Sequence, residues 1–121
     1  MSQDTDEIAA ADWHDFLELL TKEHAGEGAT IEVVSLDLGD QFEAEKIPLA
    51  YVEYDRKDDV VIVGLGGLDS RFPVVLRHLI EHPRRILVTS SLPNAILALD
   101  VEAADSSKTI VTLHRPPALP G

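Results

Sequence analysis

The hydrophobic pattern changes period near Ala29, and every later segment but one reads at period two, a switch that limits the fold more than any other feature of the chain. Before it, Trp13, Phe16, Leu17 and Leu20 recur at i, i+3, i+4 and i+7, the stripe of an amphipathic helix expected over residues 10–23. Gly26 and Gly28 supply its stop. Trp13, the only tryptophan, is the expected anchor of this helix on the layer beneath it. After the switch the residues become β-branched, as a pleated, half-buried surface selects. Strands are expected at residues 30–38, 41–47, 49–54, 60–65, 86–90, 95–102 and 108–114, the last three as a meander. Pro48, which has no N–H to donate, is expected to keep residues 41–47 short. Residues 71–82 fit both periods, and Pro83 ends them either way.

The expected architecture is therefore an α+β domain over residues 10–114, with the N-terminal amphipathic helix packed on one face of a bent antiparallel sheet of about six strands. Residues 1–9, polar and acidic, are expected to fray, and residues 115–121, with Pro116, Pro117 and Pro120, to be an extended tail.

Charge is unevenly placed along this chain. The formal net charge is −12, yet residues 1–59 hold 17 of the 22 acids and 4 of the 10 bases, leaving residues 60–121 almost neutral. Such a field repels nucleic acid phosphates, which are bound by clustered Lys and Arg. No apolar run approaches the 18 or so residues of a membrane span, and the acidic start lacks the positive charge of a secretory signal, so a cytoplasmic protein is expected. There is no cysteine, which excludes disulfides, thiolate metal sites and cysteine nucleophiles.

Three motifs bear on chemistry. Val60 to Gly67 runs an apolar strand into a glycine loop, the outline of a dinucleotide site, but the third glycine of G-x-G-x-x-G falls on Asp69, a carboxylate where a pyrophosphate would sit. His78 and His82 stand at i and i+4, yet Arg77, Arg84 and Arg85 around them repel a cation, so no metal or other cofactor is expected. No serine lies in a G-x-S-x-G elbow. The only basic cluster is Arg71, Arg77, His78, Arg84 and Arg85. Its arginine forks suit carboxylates, first of all those of the chain's own acidic half, within one copy or across a dimer, and an external anion otherwise.

The order of Trp13-His14-Asp15-Phe16-Leu17, Glu23-His24-Ala25-Gly26, Ile31-Glu32-Val33, Pro48-Leu49-Ala50-Tyr51-Val52 and Arg77-His78-Leu79-Ile80-Glu81-His82-Pro83, closed by strands at 97–101 and 109–113, resembles the small bacterial proteins of domain of unknown function 5335. The likeness spans roughly residues 10–114. It implies a fold and brings no catalytic residue. It favours a strand over residues 74–80 leading into the Pro83 turn. The glycine-containing turn usual in the family between the last two strands is replaced here by Ala104-Asp105-Ser106-Ser107.

Two readings of function follow. The first is a non-enzymatic interaction or accessory module that meets a basic protein, or a second copy of itself, through an acidic face or an exposed sheet edge. The second is a small-ligand binder or enzyme with a pocket between helix and sheet, lined by Tyr51, Tyr54, Arg77 and His78.

Overall fold

A computed structural model describes residues 4–35, 37, 39–67 and 76–115. Arg71, the first residues of the expected 74–80 strand and the prolines of the expected tail lie outside them. Within them the chain forms β1 (Asp4–Ile8), a 3-10 turn (Ala10–Asp12), α1 (Trp13–His24), β2 (Gly28–Ser35), β3 (Gly39–Asp55), β4 (Val60–Leu65), β5 (Leu76–Glu81), β6 (Pro83–Ser90), β7 (Ala95–Ala103) and β8 (Lys108–His114). All strand pairs are antiparallel, in the order β1-β6-β7-β8-β2-β3-β4-β5. This is a mostly-β fold of eight strands with one short helix, which overturns the expected α+β domain with about six strands.

Two physical facts account for the difference. The acidic N-terminus does not fray from Asp4 to Ile8: it pairs with β6, where Arg85 meets Glu7 at 3.0 Å and the hydroxyls of Thr5 and Thr89 lie 2.9 Å apart. The Trp13 indole N–H then donates to the Ile8 carbonyl at 2.9 Å and ties that strand to the start of α1. The second fact concerns Pro48, which does not interrupt a strand. β3 runs unbroken for 17 residues, pairing with β2 up to Pro48 and with β4 from Leu49 onward. The proline falls where the strand changes partner, and its carbonyl accepts the Gly66 N–H at 2.7 Å. A missing donor costs nothing where no ladder hydrogen bond is required.

β3 therefore belongs to a long half of the sheet, β1-β6-β7-β8-β2-β3, and a short half, β3-β4-β5. The halves close on each other, with His78 Nε2 of β5 3.5 Å from the Thr109 hydroxyl of β8. One core fills the space between them and includes Leu17, Ile31, Leu49, Val61, Leu65, Ile86, Leu99 and Leu113, all fully buried. Only His82 separates β5 from β6, and it turns the chain with φ +53°.

The helix does not form a layer on one sheet face. α1 lies along the edge of β3 that β4 leaves open. The Thr21 hydroxyl donates to the Val52 carbonyl and accepts the Val52 N–H, both at 2.9 Å, while Gly26 and Glu27 bond the two backbone groups of Leu49 at 2.8 Å. Trp13, Leu17 and Leu20 face inward as the periodicity predicted, and the Trp13 ring meets Tyr54 edge-on at 5.2 Å between centroids. The β6-β7-β8 meander and the strand reading of residues 76–80 are as expected.

Candidate interaction face

Alternate residues of a strand point to opposite faces, and directly paired residues share a face. On the long half, β-strand registers align Glu7, Leu87, Asp100, Ile110, Glu32 and Phe42 in one row across six strands. The next row holds Arg85, Glu102, Lys108, Val34 and Asp40. The flanking positions Ile86, Val101, Leu99 and Val111 point into the core, so both rows lie on the outer face. No helix or strand among the described residues covers it. Leu87, Ile110 and Val34 stay half-exposed and Phe42 is 59% exposed.

The charges on this face are only partly matched. Arg85 bonds Glu7 at 3.0 Å and lies 3.6 Å from Glu102, which also faces Lys108 at 4.0 Å. Asp100, between Leu87 and Ile110, is different. Its Oδ1 is buried and receives no hydrogen bond, and burial pushes its carboxyl above the usual aspartate range of 3.8, helped by the charge of Glu102 and opposed by Lys108 and Arg85. Glu32 is raised as well, by burial first, then by its hydrogen bond to Asp40 and that residue's charge. Burial thus raises both carboxyls, Asp100 against the pull of Lys108 and Arg85 and without a hydrogen bond to its Oδ1, and Glu32 beside a second acid.

Of the basic cluster expected from the sequence, Arg71 lies outside the described residues, and the β5 register puts Arg77 and His78 on opposite faces. Arg85 meets Glu7 of the acidic half and Glu102 of its own half, while Arg77 and Arg84 are exposed and enter no ion pair among the described residues. The four residues expected to line a pocket are divided between faces. Registers put Tyr51 and Arg77 on the outside of the short half, flanking Gly64, and Tyr54 and His78 on its inside. Tyr51 and Tyr54 border a depression of about 310 Å³ beside α1 with His14, Glu18 and Glu53. His78 borders a separate groove of about 280 Å³ with Val33, Ile80, Ala103, Asp105 and Thr109.

His78 and His82 do not share a face either. His82 sits at the β5–β6 corner, its N–H bonded to the Asp59 carbonyl at 2.9 Å and its Nδ1 3.2 Å from Asp59 Oδ2, while the Tyr54 hydroxyl donates to Asp59 Oδ1 at 2.7 Å. These bonds, Tyr54 first, hold the Asp59 carboxyl below its usual range. The α1 surface also brings His14, Asp15 and Glu18 together, with ligand atoms within 4.8 Å. The i, i+1, i+4 spacing on a predicted helix was the available signal for that trio.

Burial lowers the His78 pKa below 6.5, against a smaller opposing pull from Glu43. The neutral ring is favoured in the fold, so the unfolded chain binds the extra proton. The stability carried by this group is present above pH 6.5 and is lost as pH falls below it. His78→Gln is expected to flatten the fall in Tm between pH 7 and the His78 titration, measured by thermal unfolding across that window.

The fold and the face define a class: an acidic, mostly-β protein whose large sheet no helix or strand among the described residues covers on one side. The chain belongs to the family of unknown function designated domain of unknown function 5335, which it matches over residues 4–121. It is also similar to an uncharacterised protein of Aquifex aeolicus (strain VF5), with 31% identity over 116 residues that cover 96% of each chain. No solved structure matches it significantly. Among the described residues no helix is long and apolar enough to cross a membrane.

Proposed function

We propose that the protein is a non-enzymatic interaction module that takes a basic partner on the bare outer face of its long half. The observation that carries this reading is Asp100. A carboxylate oxygen buried without a donor costs stability, on the order of 1 kcal/mol at a half-buried position. A lysine or arginine of a partner, laid between Leu87 and Ile110, would supply the absent donor and convert that cost into affinity. Glu32 and Asp40 extend the acidic ground beside it, and Phe42 gives an apolar contact at its margin.

Asp100→Leu separates fold from function. The variant is expected to be more stable than the parent at pH 7 by about 1 kcal/mol. The sign follows from linkage: a carboxyl whose pKa is raised in the fold contributes stability below 3.8 and loses it as pH rises through its folded value. The advantage of the variant in Tm should therefore shrink toward pH 3.8 and grow above it. In a pull-down from cell lysate at low and high salt, the parent protein is expected to retain a basic protein that salt releases and Asp100→Leu to lose it. Equal retention by both, or retention by neither, would sink the proposal.

A further inference from the structure

Sheet edges are pairing templates unless something blunts them, and among the described residues all but one are blunted. β1, at one end of the order, carries Asp4, Asp6 and Glu7 in five residues and repels a like strand. The first half of β3 has no strand beyond it on the side away from β2, but carries Asp40, Glu43, Glu45 and Lys46. Its second half is sealed by Thr21 and the turn after α1. β5 ends the order at the other side, and among the described residues no backbone group pairs with its outer edge. It is also apolar where edges usually are not: Leu76 is 43% and Leu79 55% exposed.

The sequence of β5 is complementary to itself. Arg77, Leu79 and Glu81 lie on the outer face of the short half. In an antiparallel pairing centred on Leu79, Leu79 meets Leu79 of a second copy, Arg77 meets Glu81, and Glu81 meets Arg77, all on that one face. Neither Arg77 nor Glu81 enters an ion pair within the chain among the described residues. We infer that two copies join through β5 in this register, making one sheet continuous across a two-fold axis. The contact has the self-complementary form of a closed dimer, so it does not propagate into a filament. It is independent of the bare face of the long half, which stays open in the pair. A strand of six residues buries less than the area of a standard interface, so the dimer is a weak one that forms as concentration rises.

The test is sedimentation equilibrium on the full chain up to about 1 mM, the weak limit of a specific contact. The parent is expected to pass from monomer to dimer. Arg77→Glu and Glu81→Arg each place like charges opposite one another twice per dimer, and each is expected to weaken association about tenfold or more. The double variant Arg77→Glu with Glu81→Arg restores the pairing and should dimerise as the parent does, which separates the register from a loss of folding, followed in parallel by circular dichroism. A parent that stays monomeric throughout overturns the inference. So does a dimer indifferent to both single variants, which would place the contact elsewhere, or a double variant weaker than either single one.

Discussion

Thr21→Val is expected to destabilise the protein by about 2–4 kcal/mol, because it strands two backbone groups at once. Valine keeps the shape of threonine and removes the hydroxyl that both donates to the Val52 carbonyl and accepts the Val52 N–H. Val52 is buried and its outer edge faces α1, where no other protein group stands in for the hydroxyl among the described residues. Thr21→Ser keeps the hydroxyl and is expected to cost under about 1 kcal/mol. Chemical denaturation of the parent and both variants checks this. Equal losses for valine and serine would mean that the methyl group matters as much as the hydroxyl in holding α1 in place.

The second large effect is expected at Gly64, in the middle of β4. A Cβ there would overlap the ring of Tyr51, which lies across the glycine from the neighbouring strand. Its backbone is extended and needs no glycine for conformation, so the requirement is space alone. Gly64→Ala is expected to cost about 1–3 kcal/mol by forcing the ring from its seat. The double variant Gly64→Ala with Tyr51→Leu should recover part of that loss, since the obstacle is the ring. If the alanine is equally costly with and without the tyrosine, the close approach is not the reason for glycine here.

Much of this fold can be read along the chain, because helices and buried strands write their period locally. Trp13, Phe16, Leu17 and Leu20 identify α1, and the apolar run at residues 60–65 identifies β4, whose side chains are nearly all buried. β1 is a strand only because β6 offers it Arg85, Thr89 and a backbone ladder; Asp4, Asp6 and Glu7 carry no such pattern in themselves. Pro48 misleads for a related reason. A proline forbids a ladder hydrogen bond, and whether one is needed depends on which strand lies alongside. Residues 71–82 fit both periods, and family likeness, not spacing, favoured the strand found at 76–81. The candidate face was the least legible part. Its row takes single residues from six strands, and registers between strands far apart in sequence are set by tertiary packing. One clue stood in the chain: Asp100 interrupts the otherwise apolar stretch from Ala95 to Val101, where a lone acid is out of place.

The long strand β3 also governs how the molecule can come apart. A protein made of two separate sheets has a seam along which one may melt while the other survives. Here the same backbone is a rail for both, with Pro48 at the changeover, and the other connection, through His82, has no slack. Loosening either end pulls on the other, so a local fault has no partition to stop it. The two halves of the sheet are thus bound to a common fate in unfolding, the all-or-none behaviour that small domains commonly show.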